Sequence, residues 1–81
     1  MIIEQQTADS AIKMGMTPVQ KRVLDFLRDY IELHEYSPSM REIGSGCNLH
    51  LSAVARVVDA LQQRNHITRL NGVSRSITLL D

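Results

Sequence analysis

The chain has 81 residues, of which 43% are apolar, and its nine basic and nine acidic side chains cancel to a formal charge of zero. This length suits one small domain with a limited core and little room for a catalytic cavity, and the apolar content argues against global disorder. A single cysteine, Cys47, excludes an internal disulfide and fits a reducing compartment. No apolar run approaches the roughly 18 residues of a membrane span. The opening "MIIEQQTADS" carries Glu4 and lacks the apolar region of a signal peptide. The expectation is a soluble, cytoplasmic protein that does not engage a membrane.

The distribution of charge says more than its sum. Residues 1–36 hold four bases (Lys13, Lys21, Arg22, Arg28) and six acids (Glu4, Asp9, Asp25, Asp29, Glu32, Glu35). Residues 37–81 hold five arginines against three acids. An anion-binding surface is therefore expected in the C-terminal half, and a total of zero predicts modest, salt-sensitive affinity for a polyanion.

Residues 1–16, "MIIEQQTADSAIKMGM", read as an N-terminal arm or a short helix that packs on the domain or on a second copy. Residues 17–81 read as the ordered domain. Thr17 is a good N-cap, Pro18 suits the first helical position, and Gln20 completes a capping box. The helix that follows runs to about His34, with an apolar face at Val23, Leu24, Leu27 and Ile31 widened by Phe26, Tyr30 and Leu33. Pro38 holds Ser37 extended. Ser39 and Glu42 form a second capping box for a short helix over Met40 to Cys47, which Asn48 ends in a left-handed conformation.

A turn leads to Ser52, read as a third N-cap, and to a helix from about Ala53 to Arg64. "HITRL" and "SITLL" then read as strands, with Asn71-Gly72 as a hairpin signal between them. The order is helix, short helix, turn, helix, two-stranded hairpin. The fold class is mainly α (α+β), a winged helix-turn-helix with three helices and a C-terminal β-hairpin wing.

The stretches "TPVQKRVLDFLRDYIELHEYSPSMREI" and "GVSRSITLL" resemble the N-terminal DNA-binding domain of LexA-type repressors, bacterial regulators with a winged helix-turn-helix fold. The resemblance covers residues 17–80, and "SPSMREI" and "SRSITLL" are its most specific pieces. It implies double-stranded operator DNA as the partner. Full-length members of that family carry a second domain with a serine–lysine dyad that dimerises and self-cleaves. With Asp81 as the last residue, the expectation is a chain without that domain, without enzymatic activity and without its usual source of dimerisation. The turn "GCNLHL" departs from the family pattern, with Asn48 where Gly is common and His50-Leu51 where small polar residues are common.

On the third helix Val54, Val57, Val58 and Leu61 fall within an arc of roughly 100°, the width of a core-facing stripe. Ser52, Arg56, Asp59 and Gln63 lie opposite, flanked by Ala53, Ala55 and Ala60. In a helix-turn-helix the N-terminal part of the second helix enters the major groove. Arg56 is the leading reader, since its fork can pair bidentately with guanine O6 and N7. Ser52 suits a phosphate or a base edge, and Ala53 and Ala55 let the helix sit deep with their methyls near thymine. His50 suits a phosphate when protonated. Asp59, a carboxylate on this face, either accepts from a cytosine amino group or restrains Arg56, and the restraint is the expectation. Arg69, Asn71 and Arg75 place a basic hairpin tip where it can grip the backbone or a narrow minor groove, and Arg41 adds a phosphate contact.

A plainer reading exists for each of these. An arginine on a helix face or in a wing is often only solvated. Cys47 reads as a small buried hydrophobe. His34, His50 and His66 have no metal-ligand spacing with one another or with Cys47, and Gly44-x-Gly46 lacks the lysine of a phosphate loop. No metal, cofactor or catalytic group is expected.

The functional expectation is a sequence-specific DNA-binding transcriptional regulator, a bacterial or phage repressor that dimerises at least on DNA. The alternative is a winged-helix module that binds a protein, as an inhibitor or adaptor acting on phage or host machinery. The neutral charge and Asp59 favour that alternative, and Arg56 and the wing arginines favour DNA.

Overall fold

Thr17 is extended and accepts from Gln20 N at 3.1 Å, while the Gln20 side chain accepts from Thr17 N. This reciprocal box starts α1, Pro18–His34, in a computed structural model that describes residues 16–80. The reading of an arm falls outside the described residues except for Met16, which packs against the core. Glu35 ends α1 in a left-handed conformation with φ of 65°. The second box also forms, between Ser39 and Glu42, and opens α2, Met40–Cys47. Asn48 closes α2 with φ of 57° and ψ of 52°, the left-handed stop expected of an asparagine.

The third helix starts earlier than its sequence suggests. α3 spans Leu51–Gln63, with His50 as N-cap and no side-chain bond to the first turn. Ser52 is therefore a residue of the first turn and not the cap. Arg64 follows as the C-cap.

The wing is also shorter in strand and longer in loop than expected. β1, Ile67–Thr68, pairs antiparallel with β2, Thr78–Leu79, in the register Ile67 with Leu79 and Thr68 with Thr78. Asn71-Gly72 does not join the strands directly. It forms a local turn closed by Val73 N donating to Leu70 O at 3.1 Å, with Gly72 at φ of 76°. Positive φ at this position alone is the type II pattern, which glycine adopts without strain.

All five elements contribute to, or flank, one core. Val23, Leu24 and Leu27 of α1 meet Ile43 and Cys47 of α2 and Val54, Val58 and Leu61 of α3. Ile67 and Ile77 close it from the wing. The α3 stripe is as the spacing predicts, with Val57 at its half-buried edge. Leu33 departs from expectation: it is 77% exposed, because it lies on the far side of α1 from Leu24 and Leu27. Gly44 permits the tight turn between α2 and α3, since a Cβ there would lie 2.7 Å from Leu49 O. Arg22 donates to Cys47 O at 2.9 Å and so satisfies a carbonyl at the C-terminus of α2. The Cys47 thiol is pushed up by burial, against a smaller opposing pull from Arg22, which suits a packing residue.

Candidate nucleic-acid interface

The side of α3 opposite its core stripe carries Ser52, Arg56, Asp59 and Gln63, all exposed. Ala53, Ala55 and Ala60 flank this side and are half-buried. His50 is exposed at the head of the helix. α1 and α2 both have their first turns closed by a capping side chain, whereas α3 has none. The N–H groups of its first turn are left to outside acceptors. Arg41, the second residue of α2, is exposed and lines a cleft of 340 Å³ between α2, the start of α3 and the wing. Among the described residues, neither Arg41 nor Arg56 makes an ion pair or a side-chain hydrogen bond.

The wing arginines stand differently. Arg75 forms a bidentate fork with Glu42, Nη1 to Oε1 at 2.9 Å and Nη2 to Oε2 at 3.0 Å. Its Nη1 also lies 3.2 Å from Ser37 O and 3.3 Å from the Tyr30 hydroxyl, which itself donates to Glu42 Oε1 at 3.1 Å. The guanidinium carbon sits 5.2 Å from the centre of the Tyr36 ring. Planar, five-donor geometry makes this possible for arginine and not for lysine. The Arg75 guanidinium, then the Ser39 backbone N–H, hold the Glu42 carboxyl down to about 2, and Glu42 in turn raises the Arg75 guanidinium above its ordinary value. Arg75 also has φ of 56°, unfavourable for a residue with a Cβ, so its contacts hold a strained backbone.

Two serines complete this anchorage. Ser37 is buried, donates from Oγ to Pro38 O at 3.0 Å and accepts from Ile77 N at 3.3 Å. Ser76 Oγ accepts from Leu70 N at 3.0 Å and lies within donating distance of Leu70 O and Val73 O. Asn71 is exposed at the tip.

Asp59 pairs with Arg69 at 3.0 Å, not with Arg56. That corrects the expected restraint along the helix: the bond crosses from α3 to the wing and leaves Arg56 unpaired. Arg69 Nε is buried without a partner among the described residues.

These positions bring the sequence candidates into two groups. Arg56, Ser52, Ala53, Ala55 and His50 gather along the N-terminal part of α3. Arg41 and Arg69 meet across the cleft, with Arg75 on its wall. The anchoring roles of Tyr30, Tyr36, Ser37 and Glu42 had no local signal in the sequence, because Arg75 lies 33 positions from Glu42 and 45 from Tyr30. Leu51, which also lines the cleft, was read as preceding the helix and is its first residue.

Residues 13–76 match the family of the LexA DNA binding domain. The chain belongs to that family. Among similar proteins, a LexA repressor 1 of Nocardia farcinica is 41% identical over 59 residues, 72% of this chain and 27% of that protein. LexA repressors of Geotalea uraniireducens and Thermosipho melanesiensis are 39% and 40% identical over 66 and 65 residues, each covering 80% of this chain and 33% of theirs. The chain spans about a third of the length of the curated relatives it matches. What it shares with them is their DNA-binding part, and the winged helix-turn-helix of three helices and an antiparallel pair is the fold that goes with it. The matched region is a binding domain and not a catalytic one. Among the described residues no three His, Cys, Asp or Glu side chains are grouped to hold a metal. No described helix is long and apolar enough to cross a membrane.

Proposed function

We propose that this LexA-type domain serves a sequence-specific transcriptional regulator, a cytoplasmic repressor of bacterial or phage origin that occupies a double-stranded operator. The observation that carries the reading is Arg56: exposed, unpaired among the described residues, and in the N-terminal half of α3 on the side away from the core. Its fork reads guanine O6 and N7. Ser52 and the uncapped first turn of α3 bond phosphate or base edges, and the small Ala53 and Ala55 allow the helix to sit deep. Arg41, at the positive end of α2, takes a phosphate, and so does His50 when protonated.

The wing arginines work by a different route. Arg75 positions the wing against α1 and α2, and Arg69 ties it to α3, so that the tip with Asn71 meets the backbone in a fixed register. A unit of zero net charge has little affinity alone, and pairing of two copies on adjacent half-sites multiplies it. The alternative of a protein-binding adaptor draws on the same neutrality, but the family of the matched region favours DNA.

Selection of duplexes from a randomised pool tests the reading. An enriched half-site, bound about 10- to 100-fold more weakly by Arg56→Ala at one G·C pair, is the expected result. Binding no tighter than to random duplex overturns it.

A further inference from the structure

Asn48, Asn65 and Asn71 are the asparagines of the described residues, and the backbone treats them differently. The nitrogen of the residue that follows an asparagine can attack its side chain at Cγ. The attack needs a nitrogen that is not engaged elsewhere and a peptide plane that is free to rotate. After Asn48 the nitrogen is that of Leu49, which donates to Gly44 O at 2.8 Å. After Asn65 it is that of His66, which donates to Leu61 O at 3.0 Å. Asn71 differs on both counts. Its turn is closed by Val73 N donating to Leu70 O, and among the described residues Gly72 N donates to no acceptor. Asn71 and Gly72 are exposed, and a Cβ built on Gly72 would meet nothing within 4 Å. Glycine has no side chain to shield the nitrogen, and it lets the peptide plane turn over without a steric penalty.

We propose that Asn71 is a site of spontaneous deamidation that converts the wing tip from neutral to anionic. Gly72 N gives up its proton to hydroxide and bonds to Asn71 Cγ, and the side-chain nitrogen leaves as ammonia. Water then opens the five-membered succinimide at either carbonyl. The product is an aspartate or an isoaspartate, with one water consumed and one ammonia released overall. Either product puts a carboxylate where an amide stood, and the isoaspartate also lengthens the backbone of the turn by one methylene. The consequence for binding rests on the DNA-binding reading above, in which the tip with Asn71 meets the duplex backbone. A carboxylate held at about 4 Å from a phosphate in water weakens binding about fivefold.

Trypsin separates the three asparagines, since Asn48, Asn65 and Asn71 fall in the peptides 42–56, 65–69 and 70–75. The full chain is incubated at mildly alkaline pH, folded and in urea, then digested and weighed. The 70–75 peptide is expected to gain the amide-to-acid mass at nearly the same rate in both, with isoaspartate in excess. The other two peptides are expected to stay unchanged in the folded chain. Gly72→Ala, whose methyl crowds the nitrogen, is expected to keep its amide and its own starting affinity for random duplex. Over the same time the parent is expected to lose about fivefold, and Asn71→Asp to show that loss from the outset. An amide at residue 71 that survives in the folded chain and is lost in urea overturns the proposal, because the wing then protects it. So does equal conversion at Asn48 or Asn65. Conversion at Asn71 with affinity unchanged supports the site and overturns its contact with the duplex. Failure to bind any duplex overturns the DNA-binding reading and leaves the mass measurement to decide the site.

Discussion

Arg56, on α3, and Arg75, in the wing, are both exposed arginines in the half of the chain where bases outnumber acids, and their electrostatic situations are opposite. Arg75 is tied to Glu42, Ser37 and Tyr30 and faces Tyr36. Among the described residues Arg56 makes no ion pair, and Asp59, three residues on, turns to Arg69 instead. Counting basic residues treats the two alike. The pairing ties the two wing arginines to the rest of the fold, while among the described residues Arg56 and Arg41, both on the helix-turn-helix, make no ion pair. A net charge of zero is compatible with polyanion binding when the neutralised charges are the structural ones.

The pair Arg56→Ala and Arg75→Ala breaks this comparison most sharply. Arg56→Ala should lose about 1–3 kcal/mol of discrimination at its base pair with no change in melting temperature. Arg75→Ala should lower the melting temperature and weaken binding to every duplex alike. Arg75→Lys should not restore it, because an ammonium cannot form the fork. Calorimetry beside a competition assay reads both effects, and a selective loss of base discrimination in Arg75→Ala would reverse the assignment.

A second comparison concerns the backbone at residue 75. Arg75→Gly loses the same contacts as Arg75→Ala but relieves the left-handed strain. It should be the more stable of the two by about 1 kcal/mol in urea unfolding. Equal stability would remove strain from the account.

The Glu42 anchor adds a pH dependence. Its carboxyl titrates at about 2 in the folded protein against an ordinary value of 4.5. A carboxylate lowered by folding contributes stability that is present above the ordinary value and is lost as pH falls through the folded one. The melting temperature of the parent should therefore decline between pH 4.5 and about 2. Glu42→Gln, which can keep the capping box, should start lower at neutral pH and be flatter across that window. Parallel curves would show that the Arg75 fork contributes nothing.

The smallest effect on stability is expected at Asp59. The Asp59–Arg69 pair is a surface contact worth at most about 1 kcal/mol, so Asp59→Ala should melt nearly as the parent does. It releases Arg69, however, and should tighten binding to random duplex and steepen its salt dependence by up to about 0.9 in the logarithmic slope.

What the sequence made legible follows from the range of each interaction. The Thr17 and Ser39 boxes, the stop at Asn48 and the stripe on α3 are set by neighbours within four residues, and each forms as read. The start of α3 was misread because Ser52 is a good cap by type, while the chain turns earlier, at His50. The Asn71-Gly72 turn was recognised but not its place within a longer wing loop, which Ser76 holds together through bonds to Leu70 and Val73. The exposed place of Arg56 opposite the core stripe was legible from helical spacing alone. The division of labour among the arginines was not, because the partners of Arg75 come from α1, α2 and the segment between them.

Salt dependence of binding to a fixed duplex tests that division most directly. The account predicts that Arg41→Ala reduces the slope of log K against log salt by about 0.9, the contribution of one phosphate contact, and leaves the fold intact. It predicts that Arg75→Ala, measured where the variant is still folded, leaves the slope at the parent value while affinity falls. A slope reduced in Arg75→Ala and unchanged in Arg41→Ala would contradict it.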